Sequence, residues 1–213
     1  MTKNLLLLLL YVLSSFSCNA KNIESLYARI KNDTRFDQVE NMALDLVRGG
    51  FNAGDSYGEV WIRDYNTFIE LSMEVMPDSL IRRNLNLFFA FQAEDGNIVD
   101  GFIPRIKADL DNVDGYKYRS SNLAPEYVAH KNTVETDHET SLIQAVAKYV
   151  RKSGNRDYLR EKVGDLTVYE RMTKAVGFLL TQKMDKKYGL LIGATTVDWG
   201  DVQPEHFWGG GNR

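Results

Sequence analysis

The sequence has little of several features that would place it in a familiar protein class. It contains a single cysteine among 213 residues, Cys18, so no disulfide can form within the chain. Lys and Arg number 26 against 29 Asp and Glu, a net charge of -3, so there is no excess of positive charge to hold a phosphate backbone, and a nucleic-acid partner is disfavoured. With 44% hydrophobic and 26% charged residues, the composition is that of a globular protein and excludes a disordered tail or a collagen-like fibre.

The first residues predict export. Lys3 precedes an apolar run from Leu5 to Leu13, which has the length of a signal peptide and is too short to span a bilayer. Ser17 before Cys18 resembles a loose bacterial lipobox, which implies cleavage at Cys18 and a lipid on its sulfur; the alternative is ordinary secretory cleavage near Ala20. Either way we expect an exported protein of the periplasm or outer membrane. Cleavage before Cys18 gives a lipoprotein-type signal peptide over residues 1–17 and a lead segment over 18–35, with membrane contact only through a possible lipid at Cys18.

The remainder predicts an all-α fold of consecutive helix pairs, because apolar residues recur at helical spacing and no alternation of strands and helices is visible. Three short apolar runs beside glycine predict small loop strands, and the polar segment 109–131 predicts a long loop. Asp37 is expected to cap the first helix of this part. The expected helices are Gln38–Val47, Asp64–Met76, Ser79–Gln92, Glu139–Val150, Arg156–Val163 and Leu166–Leu180, and the expected strands are Ile98–Val99, Phe102–Ile103 and Leu190–Ile192.

A first cluster of candidate functional residues lies where a glycine-rich loop meets a helix start. Trp61 offers a flat face for the apolar side of a sugar ring, and Arg63 and Asp64 supply hydrogen-bond donors and an acceptor for hydroxyl groups. The structural alternative is that Asp64 only caps the helix and Arg63 only pairs with it. The residues by themselves leave both interpretations open.

A second cluster, at the start of a later helix, contains Glu135, Asp137, His138 and Glu139. No second histidine follows His138 four residues on, so the zinc-protease motif is absent and no metal is predicted. A capping box between Thr136 and Glu139 would explain part of the cluster. It leaves Glu135 and Asp137 as candidates for binding sugar hydroxyls.

A third cluster places Asp198 and Asp201 around Trp199 and Gly200. Glycoside cleavage requires a carboxylic acid held against an apolar surface, because such a surface raises the pKa of the acid and lets it protonate a leaving oxygen. Trp199 would supply that surface. A turn stabilised by the Asp198 side chain explains the same residues structurally, and this alternative also stays open.

Two of these clusters resemble motifs of one glycosidase superfamily. Residues 61–64, Trp-Ile-Arg-Asp, look like the Trp-x-Arg-Asp motif of six-hairpin glycosidases, which include glucoamylases, glycogen-debranching enzymes and their relatives. Residues 199–201, Trp-Gly-Asp, resemble the loop that carries the general acid in several of these families, trehalases among them. The resemblance covers roughly residues 36–205. It implies an (α/α)6 toroid, a ring of helical hairpins.

The resemblance also implies roles for particular side chains. Trp61, Arg63 and Asp64 would bind the sugar whose bond breaks, and Asp201 would be the general acid, with Asp198 as the competing candidate because these families place the acid differently relative to the tryptophan. A complete toroid has six hairpins, and its inverting members use a second carboxylate as general base. The sequence shows fewer hairpins and no candidate for that base, so we expect residues 36–213 to be a partial toroid.

The sequence therefore predicts a glycoside hydrolase of inverting mechanism that acts on an oligosaccharide or polysaccharide of the cell envelope without a cofactor. Two alternatives stay open: a carbohydrate-binding lipoprotein without catalysis, and a sugar phosphorylase of the same architecture, which would need phosphate and an anion site. The hypothesis requires the three clusters, which are remote in sequence, to meet around one cavity.

Overall fold

The computed structural model describes residues 23–52, 58–111, 117–131 and 136–192. Of these residues 58% are helical and 12% lie in short strands, so the predicted predominance of helices is confirmed. The chain divides into two compact units, Met1–Asp45 and Leu46–Arg213. In the described ranges no helix has both the length and the apolar character needed to cross a membrane.

The described part of the first unit is helical. Helix α1 runs over residues 23–31, where no helix was predicted. Helix α2, Thr34–Arg48, starts in this unit and ends in the second, just before Gly49. Because α2 begins before Asp37, this carboxylate lies in the first turn and the prediction that it caps the helix is wrong.

Four longer helices form the framework of the second unit. A break at Pro77 separates α3 from α4, and α5 packs mainly on α3 and also on α6. The four helices that periodicity predicted for this region are confirmed to within a few residues at each end. They are α3 (Ile62–Val75), α4 (Asp78–Ala90), α5 (His138–Ser153) and α6 (Val168–Gln182).

The connection from α5 to α6 differs from the prediction. The expected α-helix Arg156–Val163 is wrong: Arg156–Arg160 forms a 3-10 helix, and β4 (Lys162–Val163) follows it. Strand β4 pairs antiparallel with β5 (Leu166–Thr167) through a turn in which Gly164 takes a φ of 63°. At the end of β5 the Thr167 side chain accepts from the backbone N–H of Glu170, whose carboxylate accepts from the backbone N–H of Thr167, and this capping box starts α6.

A small antiparallel sheet lies beside the helices and has the strand order β1 (Val60–Trp61), β2 (Gly101–Pro104), β3 (Tyr127–His130). The register places Trp61 opposite Gly101 and Gly101 opposite His130. A Cβ atom on Gly101 would lie 3.2 Å from Nε2 of His130, so glycine leaves room for this ring. The side chains of Trp61 and His130 are thereby brought together at one end of the sheet.

The strand predictions are partly confirmed. Phe102–Ile103 lies within β2, and Leu190–Leu191 forms β7, which pairs with β6 (Met184–Asp185). Ile98–Val99 is not in a strand. Strand β3 lies within residues 109–131, so the expectation of a continuous loop there is wrong.

Aromatic side chains form the centre of the core between the helices and the sheet. The ring of Phe88 in α4 lies 4.9 Å from that of Phe102 in β2 and 6.2 Å from that of Tyr65 in α3, measured between centroids. The buried hydroxyl of Tyr65 donates to the backbone oxygen of Ile81, and burial raises the pKa of this phenol. This packing fixes the ends of α3 and β2, where the candidate site lies.

Candidate functional site

The first two sequence clusters meet at the N-terminal ends of α3 and α5. Nε of Arg63 lies 2.8 Å from Oδ2 of Asp137, and Nη2 of Arg63 lies 2.9 Å from Oδ1, a bidentate ion pair between residues 74 positions apart. The Arg63 side chain is 26% exposed and that of Asp137 44%. A paired guanidinium and carboxylate with this exposure can still be reached by a ligand.

The start of α3 differs from the structural alternative considered for Asp64. The N-cap position is Trp61, whose extended backbone precedes the helix and whose side chain makes no capping hydrogen bond. Asp64 lies in the first turn and is half-buried, where a carboxylate interacts favourably with the helix dipole. Arg63 spans to α5, so its partners are not confined to the neighbouring carboxylate.

The start of α5 also differs from the expected capping box. Its N-cap residue is Asp137, whose backbone oxygen accepts from the N–H of Ser141 at 2.8 Å and from the hydroxyl of Thr140 at 3.0 Å. The Asp137 carboxylate makes no capping bond and instead binds Arg63. The Glu139 carboxylate accepts from the backbone N–H of Ile98 at 2.8 Å, so the capping box with Thr136 is wrong.

Trp61 belongs to an aromatic group beside this ion pair. Its ring packs edge-to-face on His130, with centroids 4.8 Å apart, and Tyr118 packs on His130 with centroids 5.8 Å apart. The Tyr118 hydroxyl donates to a carboxylate oxygen of Glu59 at 3.1 Å. The partly exposed indole, held by these contacts two residues before Arg63, can stack on a sugar ring.

Five ionisable side chains lie buried next to these groups. Each has a residue exposure of at most 6%, which is unusual because burying a charge is costly unless it is paired. Three of them carry no predicted role, since no local spacing connects them. One signal was present: Asp100 and His130 each follow a short apolar run that is itself buried, and Lys131 comes directly after His130. The five are Asp100, His130, Lys131, His138 and Glu139.

These side chains form a directional hydrogen-bond chain. Nζ of Lys131 lies 2.9 Å from Nδ1 of His138, and Nε2 of His138 lies 3.2 Å from Oδ1 of Asp100. With Lys131 protonated, its ammonium group only donates, so Nδ1 of His138 accepts and the ring proton lies on Nε2, which donates to Asp100. Lys131 also lies 3.3 Å from Oε1 of Glu139, and Nδ1 of His130 lies 3.6 Å from Oδ2 of Asp100.

The charges in this cluster oppose the effect of burial. Burial raises the pKa of Asp100, but His138, with which it is hydrogen bonded, and the nearby His130 and Lys131 outweigh this effect, so its pKa lies below the ordinary value. Burial lowers the pKa of Lys131, and the Glu139 carboxylate opposes that shift. Among the described residues, no group of three or more His, Cys, Asp or Glu side chains could hold a metal ion.

The structure places four of the predicted site residues, Trp61, Arg63, Asp64 and Asp137, at adjoining helix ends. The others lie outside the described residues: Cys18, Glu135, Asp198, Trp199 and Asp201. What is described is therefore a set of side chains suited to binding a polar ring. Comparisons with protein-family models, with curated proteins and with solved structures found no match to this chain.

Proposed function

We propose that this protein is an exported glycoside hydrolase that acts on an oligosaccharide or polysaccharide, and that helices α3–α6 are hairpins of an (α/α)6 toroid. The observation that carries the proposal is the bidentate pair of Arg63 and Asp137 beside Trp61. Three side chains with sugar-binding chemistry, drawn from two distant sequence clusters, lie at one end of two packed helices. Sites that combine an aromatic face with fixed polar groups are typical of carbohydrate binding.

In this proposal the described residues bind the sugar whose bond is broken. Trp61 covers the apolar face of the ring, Arg63 donates to hydroxyl oxygens, and Asp64 and Asp137 accept from hydroxyl groups. The bidentate pair with Asp137 fixes the orientation of the Arg63 guanidinium before the sugar binds, so less side-chain entropy is lost on binding. Glu135, close in sequence to this pair, is proposed as a further sugar ligand.

The chemical step is assigned to the third sequence cluster. Asp201 protonates the glycosidic oxygen as general acid, Trp199 supplies the apolar surface that keeps this carboxyl protonated, and Asp198 is the competing candidate for the acid. In an inverting mechanism a second carboxylate, about 6.5–9.5 Å away, takes a proton from the attacking water. The bond to the leaving oxygen breaks as water adds to the anomeric carbon from the opposite face.

Binding without catalysis is the second candidate function. It is favoured by one observation: Trp61, Arg63 and Asp137 lie together at the starts of α3 and α5, and the role proposed for each of them is to bind sugar rather than to donate a proton. The hydrolase and the binding protein differ in whether new reducing ends are released when the protein is incubated with its sugar.

The test uses the full chain with soluble oligosaccharides and envelope polysaccharides, with and without inorganic phosphate. A hydrolase releases reducing sugar without phosphate, a phosphorylase requires phosphate, and a binding protein retains sugar and releases none. Asp201→Asn should lower hydrolysis by orders of magnitude while sugar binding survives, with Asp198→Asn as the matched variant. If Asp201→Asn keeps activity close to the parent's, the assignment of Asp201 as general acid is refuted. If the protein neither binds any sugar nor releases reducing sugar from it, the proposed function is refuted.

A further inference from the structure

We propose that Asp100 and His138 are positioning residues that hold the Arg63–Asp137 pair in its bidentate geometry. The inference about geometry stands on the described contacts, and its consequence for sugar cleavage rests on the proposed function. Asp100 belongs to none of the sequence clusters, and His138 belongs to the second cluster but was not predicted to touch sugar. Both side chains are buried.

The backbone of Asp100 links the start of α3 to the sheet. Its carbonyl oxygen accepts from the N–H of Ile62 at 2.8 Å, and its own N–H donates to the carbonyl oxygen of His130 at 2.9 Å. Ile62 stands between Trp61 and Arg63 in the sequence. The position of Asp100 therefore helps to set the position of the helix end that carries both side chains.

The side chain of Asp100 links the same point to the start of α5. Its Oδ1 lies 3.2 Å from Nε2 of His138, the residue directly after Asp137. Nδ1 of His138 is in turn fixed by Lys131, which follows β3. Asp100 therefore connects the starts of the two helices: its backbone binds α3 and its side chain binds α5.

Three consecutive residues at the start of α5 are thus tied to three different segments. Asp137 pairs with α3, His138 with Asp100 and Lys131, and Glu139 with the backbone N–H of Ile98. A shift of the start of α5 relative to α3 and the sheet would break all of these contacts together.

Stability alone is a weak explanation for these buried charges. A buried ion pair often stabilises no more than apolar residues of the same volume, because removing both charges from water is costly. Helix α5 already anchors itself through fully buried Leu142, Ala145 and Val146. Charged groups placed directly behind a site are instead the usual means of holding the side chains that touch a ligand within a narrow range of geometry.

The experiment measures the Arg63 guanidinium itself and needs no ligand. In the 15N-labelled full chain, the Nε–H resonance of Arg63 is identified by its loss in Arg63→Lys, and its exchange with solvent is measured. We expect slow exchange in the parent and exchange faster by about tenfold or more in Asp100→Asn and His138→Gln. Glutamine can still donate to Asp100 but has no acceptor at the Nδ1 position, whereas asparagine keeps an acceptor for His138 and removes the negative charge. The two variants therefore weaken the chain at different points.

Leu142→Ala is the control, because it weakens the same helix one turn further on without touching the chain of hydrogen bonds. It should leave the Arg63 exchange rate within about twofold of the parent at a temperature where the protein is folded. Parent-like exchange in Asp100→Asn and His138→Gln overturns the inference, as does fast exchange in the parent. If Asp100→Asn does not fold, the His138→Gln result decides.

A kinetic arm separates this inference from the proposed function. On a sugar that the parent hydrolyses, Asp100→Asn should lower kcat/KM about tenfold or more, and should have little further effect in an Arg63→Lys background, because both act through one group. Full additivity of the two substitutions contradicts positioning. If the parent hydrolyses no sugar while the exchange results hold, the proposed function fails and the positioning role stands.

Discussion

Nε of Arg63 in α3 lies 2.8 Å from Oδ2 of Asp137 at the start of α5, although the two residues are 74 positions apart. This pair joins two segments that sequence reasoning had selected separately as sugar-binding candidates. It also lies against a buried network that sequence reasoning did not find.

Replacing Arg63 with lysine should weaken sugar binding while changing the stability of the fold little. Lysine keeps the positive charge but loses the planar fork that binds a carboxylate with two hydrogen bonds. We expect sugar affinity to fall by about tenfold or more, measured by titration calorimetry with the best sugar of the substrate panel. The free energy of unfolding should change by about 1 kcal/mol or less, because both partners are partly exposed.

Glu70→Gln provides the matched control. Oε1 of Glu70 lies 3.3 Å from Nη2 of Arg151, so this ion pair also joins α3 to α5 but lies further along both helices. It should leave sugar affinity unchanged. Equal affinities for the parent and Arg63→Lys, or an equal loss in Glu70→Gln, would show that the Arg63–Asp137 pair has no special part in binding.

Phe88→Ala tests the aromatic core. The ring is fully buried between Tyr65 and Phe102, so its removal leaves a cavity and should cost about 3–5 kcal/mol in the free energy of unfolding. Tyr169→Ala, at a side chain 63% exposed on α6, should change it by about 0.5 kcal/mol or less. Urea unfolding followed by far-UV circular dichroism measures both, and similar costs for the two would contradict the packing described here.

Local patterns predicted the long helices well because each of them carries an apolar stripe at helical spacing. They failed where the structure depends on distant partners. Strand β3 is four residues long and exists because it pairs with β2, a contact that its own residues do not signal. The segment Arg156–Val163 has helical composition, but its last residues pair with β5 instead.

The candidate site shows the same limit. Trp61, Arg63 and Asp137 were selected because their residue types suit sugar binding, whereas the pairing of Arg63 with Asp137 is a product of tertiary packing. Asp100 and Lys131 could not be selected in this way, since nothing in the sequence near either residue shows which distant side chains it meets. Only the juxtaposition of α5 with the ends of β2 and β3 brings them together.

Gly96→Ala should be more destabilising than an ordinary glycine substitution. Gly96 has a φ of 102°, and a Cβ atom there would lie 2.2 Å from the backbone oxygen of Lys174 in α6. A backbone atom cannot move aside as a side chain can, so we expect a loss of about 2 kcal/mol or more in the free energy of unfolding.

Gly154→Ala is the companion variant, since Gly154 has a φ of 71° but no atom lies within 4 Å of its added Cβ. Only the left-handed backbone conformation then disfavours alanine, and the expected loss in the free energy of unfolding is about 1 kcal/mol. Chemical denaturation of both variants measures the difference. A smaller loss for Gly96→Ala than for Gly154→Ala would contradict the close approach of this loop to α6.

Acid should reveal the charge on Asp100. Because its pKa in the folded protein is lowered, ionised Asp100 contributes stability that is fully present above its unfolded pKa of about 4 and is lost as pH falls through the lowered folded value. Asp100→Asn has no carboxylate at this position and therefore does not lose this contribution to stability when the pH falls. The difference in unfolding free energy between parent and variant should therefore be largest near neutral pH and shrink in acid.

The comparison between parent and variant isolates this residue. The carboxyls of Asp33 and Glu170 also have lowered pKa values, but they are present in both proteins and cancel in the difference. The groups that face Asp100, namely His130, Lys131 and His138, are retained in the variant but lose their interaction with the carboxylate, so the difference measures Asp100 together with its coupling to them. Urea unfolding at a series of pH values from neutral to acid gives the difference directly. A gap that stays constant across the series would mean that the Asp100 carboxylate draws no net stabilisation from its neighbours, and its hydrogen bond to His138 would then be too weak to hold the start of α5.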